Sequence, residues 1–342
     1  MHRRDLLRIA GGVAGGAALG VLSGAGTAAA SAPGDDPDLR FDLAAPGRVL
    51  LDRVALHDVT VLQSLAFDNV HGRIYTAQLI SGGRQLPGED APVSGAQRAL
   101  RGDLCITELD LTGTVTGHMY LLGFGHGVNF AAEPVGGGVF LWTETDAVEQ
   151  GGNGWGRRLA RFRFVDGAIV TPDSPQVRRL TPWSDVDRTT CGIDPVYGRM
   201  VLRYRVGANP DGSGGQFRFA LLDLSDVRRN KFLPLADVAQ PVLGTFQGFT
   251  SSGRYLYLLD GDSYSTAPDG NTHLTCVDWL TGEVVARQYV ADYAELPFRE
   301  PEGLAIQVPE PSRPRQARLC WGFATGVTGA RRATILYKDT YV

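Results

Sequence analysis

A chain of 342 residues with 43% hydrophobic and 20% charged residues has the composition of an ordinary globular protein, not of a disordered or membrane-embedded one. Its formal net charge of −4 excludes a nonspecific nucleic-acid binder, so any anionic ligand needs a local arginine site or a bound cation. Forty-four glycines and 19 prolines, spread along the chain, predict tight connections between short elements and hence an all-β protein.

In chain order, residues 1–32 come first as a processing signal. A basic start, a glycine-diluted apolar stretch and small residues suited to cleavage after Ala30 or Ala32 describe an export peptide, and Arg3-Arg4 followed by Asp5-Leu6-Leu7 is a twin-arginine signature. The apolar stretch is too weak for a membrane anchor. The remainder, 33–342, is expected to fold before export and to work as a secreted or cell-wall-associated monomer with no stable membrane insertion. Residues 40–56, RFDLAAPGRVLLDRVAL, then supply one isolated β-like run.

From residue 63 onward the chain repeats itself. QSLAF at Gln63, HGVNF at His126, CGIDP at Cys191, QGFTS at Gln247 and EGLAI at Glu302 are five copies of one pattern, spaced by 63, 65, 56 and 55 residues. A second β-like run comes after each copy (RIYTAQ, GVFLWTE, RMVLRYR, RYLYLLD and ARLCWGF), with VHGR, VYGR and SSGR as tight turns in three units. Third runs begin at Asp103, Arg158, Phe217, His273 and Ala333, and Asp-Leu-Thr-Gly or Trp-Leu-Thr-Gly turns two of them into a fourth strand. Four antiparallel strands per unit, five units and no intervening helices predict a single five-bladed β-propeller with its ring closed by the N-terminal strand.

First strands line the axis of a propeller. The repeated column therefore predicts that Gln63, His126, Cys191, Gln247 and Glu302 face one another, with Gln78, Glu144, Arg203 and Asp260 near the ends of second strands and Arg188 and Glu300 just outside. Such a cluster suits a phosphate- or sugar-bearing ligand, with Arg203 or Arg188 holding an anion and Glu144 and Asp260 holding calcium or another divalent cation. The bland alternative is a ring of polar side chains bonded to one another and to water.

At these residues the sequence resembles the TagC-like β-propellers, a family that includes proteins of teichoic acid biosynthesis and the propeller platforms of some phage receptor-binding proteins. LQSLAFDNVHGRIYTAQ, MYLLGFGHGVNFAAE with VFLWTE, the RTTCGIDP and RMVLRYR pair, FQGFTSSGRYLYLLDG and PFREPEGLAI carry the resemblance over the whole chain after the signal. It implies a secreted propeller acting on extracellular polyol-phosphate polymer of the teichoic acid type, with Gln63, Gln78, His126, Glu144 and Glu302 as site positions.

Other motifs carry less. GDSYS at Gly261 sits too late, and after a β-hairpin, for a hydrolase nucleophile. DGDSYSTAPDGN lacks the glutamate that closes an EF-hand loop, and GGNGWGRR has no strand-turn-helix context, so no nucleotide cofactor is expected. The latter reads as a rim hairpin that offers Trp155 to a ligand. Cys105, Cys191, Cys276 and Cys320 are too far apart for a zinc site and leave disulfides and buried free thiols equally open. Two functions fit these residues. One is a metal-assisted phosphodiesterase with His126, Arg203 and Glu302 as its catalytic set. The other is a non-catalytic binding module for carbohydrate or surface polymer, using Gln63, Gln78, Arg188, Gln247 and the rim aromatics Trp155 and Trp183.

Overall fold

Tight turns fix where the strands reverse. Gly72, Gly198 and Gly253 take φ of 67°, 64° and 55° between first and second strands, a region costly for any residue with a Cβ, which is why VHGR, VYGR and SSGR carry glycine there. The computed structural model describes residues 33–35, 39–209 and 211–342, so the expected export signal lies outside the described residues.

Blade one comprises Leu62–Asp68, Arg73–Leu79, Leu104–Asp110 and Val115–Leu121, and blade two Ala131–Val135, Gly138–Thr145, Arg158–Arg163 and Arg178–Leu180. Blade three is Val186–Asp194, Arg199–Ala208, Gly214–Asp223 and Pro234–Ala239, and blade four Phe246–Ser252, Tyr255–Asp260, His273–Asp278 and Val284–Tyr289. Blade five takes Glu300–Gln307, Arg318–Val327 and Ala330–Lys338 from the end of the chain. Its outermost strand is the N-terminal Arg48–Ala55, paired antiparallel to the last strand from Arg48 against Tyr337 to Ala55 against Arg332. The ring is therefore closed by sheet pairing, as the unmatched N-terminal run predicts. Blade one gains one extra, parallel strand, Ile169–Val170, which the repeat pattern does not reveal.

Each seam between blades has its own apolar filling. Tyr75, Ile106, Phe130 and Leu141 join blades one and two, and Trp142, Leu159, Met200 and Leu222 join two and three. Val201, Phe219, Phe249 and Leu258 fill the next seam, Tyr257, Leu274, Leu304 and Trp321 the one after, and Leu65, Phe67 and Ile335 the last. Cys191, Cys276 and Cys320 belong to three different seams, and all four cysteines are buried and free, so no disulfide joins them. Trp183, expected as a rim aromatic for sugar stacking, is half-buried and packs against Tyr204 at 4.8 Å and Phe232 at 6.2 Å.

The axis is not an open pore. A Cβ on Gly303 would lie 2.7 Å from Ser64 Cα, and one on Gly248 would lie 3.0 Å from Gly303 Cα, so the inner strands of blades four, five and one touch through backbone. Asn129 closes the remaining gap. Its amide donates to the Cys191 carbonyl of blade three at 2.9 Å and accepts the Phe249 N–H of blade four at 3.3 Å. One buried side chain from the segment entering blade two thus ties three blades together at the centre.

Candidate functional site

The His126 segment departs from the repeat. Residues 124–130 are irregular rather than part of the inner strand, which begins at Ala131. Gly127 has φ of 81°, and the N–H groups of His126 and Gly127 point to a carboxylate instead of to a neighbouring strand. That carboxylate is Glu144, near the end of the second strand of blade two. Its oxygens accept the N–H of Gly127 at 2.8 Å and of Gly156 at 2.6 Å. A Cβ on Gly125 would fall 2.1 Å from the Glu144 carboxyl carbon, so the glycine before His126 is there to make room for this tether. Burial pushes the Glu144 carboxyl up to about 7, against the opposing pull of the three backbone N–H groups.

Two further elements hold the same region. The helix Gly95–Arg101, inserted in blade one and capped by Ser94, ends at Gly102, whose carbonyl accepts the N–H of Phe124 at 2.9 Å and of Gly125 at 3.1 Å. The hairpin Val148–Gln150 and Asn153–Trp155 leans on that helix end, where a Cβ on Gly154 would lie 2.7 Å from the Gly102 nitrogen. Helix, hairpin and tether together bring His126 onto Trp155, with ring centroids 4.7 Å apart. Desolvation, reinforced by Arg188, holds the imidazole down to about 4, so it is neutral at neutral pH. Its Nδ1 is buried without a hydrogen-bond partner.

Arginines from blade three complete this half of the mouth. The Arg188 guanidinium lies 4.3 Å from the Trp155 ring centroid, and its Nε donates to the Gln150 side-chain oxygen at 3.0 Å. The same oxygen accepts from Arg205 at 2.9 Å, while Arg205 forks onto Asp187 at 2.8 and 2.6 Å. Arg203 is sandwiched between Phe217 and Phe246, 3.7 and 3.9 Å from their centroids, and donates to the Gln240 side-chain oxygen at 2.9 Å. Among the described residues neither Arg203 nor Arg188 forms an ion pair. Burial, with Arg188 adding repulsion, lowers the Arg203 guanidinium to about 9. An open groove of about 450 Å³ adjoins the cluster, lined by Gln150, Arg157, Ser184, Asp187 and Arg205 among others.

The remaining candidates divide. Gln63, Gln247 and Glu302 precede the touching residues Ser64, Gly248 and Gly303 and form the other half of the mouth, on blades one, four and five. Gln63 and Gln247 sit at register shifts of their inner strands, and Glu302 directly precedes one, at Gly303. Gln247 donates to the Gly261 carbonyl at 2.9 Å, and Glu302 is held well above the usual carboxyl range by burial and by Glu300. Gln78 is fully buried and spends its amide on the carbonyls of Asp58 and Thr60, in the segment that leads from the closing strand into blade one. Asp260 is bound by Arg287 at 2.7 and 2.8 Å and by the Gly244 N–H at 2.9 Å. Glu144 and Asp260 are therefore not brought together as a cation site, because each carboxylate already has internal donors. Among the described residues no group of three or more His, Cys, Asp or Glu side chains is placed to hold a metal ion.

Gln150, Asp187, Arg205 and Asn129 belong to this architecture although sequence reasoning did not single them out. Arg205 had a signal, since it lies two positions from Arg203 and so on the same face of the strand. Gln150 and Asn129 had none, because their partners come from other blades.

Comparison with known proteins agrees with this architecture. The chain is 27% identical over 315 residues to a Bacillus subtilis (strain 168) protein that bears the provisional name major teichoic acid biosynthesis protein C, with 88% of this chain and 64% of the relative covered. Among solved structures it is similar to the tail fiber of Staphylococcus aureus phage P68, with a TM-score of 0.65 at 17% identity, over 86% of this chain and 53% of the fiber. The chain thus spans less than two thirds of either relative. Residues 61–337 match the phage 5-bladed beta propeller receptor binding platform domain, and the chain belongs to that family.

Proposed function

We propose that the protein recognises an anionic surface polymer of the polyol-phosphate type, gripping a phosphate with Arg188 and Arg203 at the mouth of the axis. The single observation that carries this is Arg203, a buried guanidinium between two aromatic rings with no ion pair. Burying an uncompensated cation is expensive, and an anionic ligand that forks onto it returns the cost. Trp155, stacked on neutral His126, lies beside Arg188 and is suited to the apolar edge of a polyol unit. The names of the two relatives, one for teichoic acid biosynthesis and one for a phage tail fiber, support a cell-surface polymer as the ligand. We extend the reading to a secreted or wall-associated protein exported through the twin-arginine route.

Metal-assisted hydrolysis is the weaker reading, since the carboxylates expected to hold a cation are engaged elsewhere. Titration with poly(glycerol phosphate) is expected to show saturable binding that weakens with salt, because salt screens the long-range attraction between the polyanion and the arginine mouth. Dextran, a neutral glycan, is expected not to bind, and the polymer is expected to be recovered without new phosphomonoester ends. Equal binding of dextran would refute phosphate recognition. Release of phosphomonoester by wild type, abolished in His126→Ala, would establish the hydrolase instead.

A further inference from the structure

The half of the mouth opposite the arginines has a chemistry of its own. Glu302 is 5% exposed and Gln63 9%, and neither side chain has a hydrogen-bond partner among the described residues. Neither contributes a sealed polar atom, so the polar ends of both reach solvent through the mouth. Their strands meet at the next residue of each, where Gly303 and Ser64 are in backbone contact. An unpaired carboxyl at such a depth is a standing cost to the fold unless a ligand meets it.

The backbone that presents Glu302 is held in an uncommon shape. Phe298 and Arg299 take φ of 72° and 41° immediately before Glu300, and the buried Arg299 is anchored on the carbonyls of Val290 and Asp292 at 2.8 Å each. Non-glycine residues with positive φ also flank the arginine half, at Asp146 and Arg188. Strain of this kind persists where the surroundings fix a functional geometry.

Burial and the neighbouring Glu300 both favour the protonated form of Glu302 over the ionised one. A protonated carboxyl donates one hydrogen bond and accepts others, and the Gln63 amide does both, which matches the dual character of a hydroxyl group. A free ammonium or a cation would instead need the ionised acid. A phosphate finds charged donors in the arginine half instead.

We propose that Gln63 and Glu302 form a second subsite that takes a free hydroxyl of the polyol unit adjoining the phosphate held by Arg188 and Arg203. The mouth is thus divided into a half that reads charge and a half that reads hydroxyl, and the proposal rests on the phosphate reading given above. The preference for hydroxyl is expected to be strongest at low pH and to fade as pH rises through the raised value of Glu302, because ionisation removes its donor.

Calorimetric titration with poly(glycerol phosphate) whose hydroxyls are free or O-acetylated tests it, since the two polymers carry the same charge. Wild type is expected to bind the acetylated form about tenfold more weakly, the effect of one or two buried hydrogen bonds left unmade. Glu302→Gln, which keeps a neutral donor and acceptor, is expected to retain that preference. Glu302→Leu is expected to lose it while binding the acetylated polymer as wild type does, and Gln63→Leu serves if Glu302→Leu does not fold. Equal binding of the two polymers by wild type would overturn the subsite and leave the arginine reading standing. Loss of preference in Glu302→Gln would also overturn it, by showing that the charge matters. Binding of neither polymer by wild type would overturn both readings.

Discussion

Arg203→Met is expected to unfold at a higher temperature than the wild-type protein and to bind poly(glycerol phosphate) at least about thirtyfold more weakly. The two effects have one cause. The guanidinium lies between Phe217 and Phe246 without an ion pair, and its desolvation is visible in the fall of its pKa to about 9. A folded-state pKa below the ordinary arginine value means that the fold disfavours the charged form, so a methionine of similar length in the same aromatic slot relieves a cost of about 1–3 kcal/mol. The loss of the bond to Gln240 and of the guanidinium's stacking on the two rings offsets about 1–2 kcal/mol of that gain, leaving a small net rise in stability. In the complex the same substitution removes a charge-assisted fork to phosphate, worth about 2–4 kcal/mol. Thermal unfolding and calorimetry on one preparation settle the matter. A variant that loses stability and keeps its affinity would make Arg203 a packing residue and nothing more.

Asn129→Leu is expected to lower stability by about 2–4 kcal/mol. The amide bridges Cys191 of blade three and Phe249 of blade four from a segment that belongs to blade two, and it is 1% exposed. Leucine has the same heavy-atom branching but bulkier methyls, so the cost is the carbonyl of Cys191 and the N–H of Phe249 left without partners in a site closed to water, with some crowding added. Urea unfolding should show the shift in midpoint with little change in slope, since the same surface is exposed on unfolding. A loss under about 0.5 kcal/mol would mean that water reaches the axis and that the centre of the ring is more open than the contacts among Ser64, Gly248 and Gly303 describe.

The five blades were legible because a propeller repeats its turn chemistry. Gly72, Gly198 and Gly253 mark equivalent reversals, and the column from Gln63 to Glu302 marks equivalent approaches to the axis. The closing strand was legible from what was missing, since the last unit has only three strands of its own and Arg48–Ala55 had no other sheet to join. The repeat pattern puts His126 in a strand, whereas Glu144 and the helix ending at Gly102 bend its segment away through tertiary contacts that leave no local pattern. Asp260 and Glu144 read as metal ligands for a related reason. A carboxylate at the end of a strand looks the same in sequence whether it will meet a cation, an arginine such as Arg287 or a pair of backbone N–H groups. Arg188 and Trp155 were each legible as residues of the mouth, one beside the repeated column and one in a rim hairpin, but their contact was not. Gln150, which joins Arg188 to Arg205, came from the same hairpin, and its partners lie on another blade.

A crystal structure of the protein with a short glycerol-phosphate oligomer is the most direct test of a phosphate site built from Arg188 and Arg203. Phosphate density bridging the two guanidinium groups, with the adjoining glycerol unit over Trp155, is the predicted result. Ordered oligomer seated elsewhere, with both arginines unchanged in their contacts to Gln150 and Gln240, would contradict it.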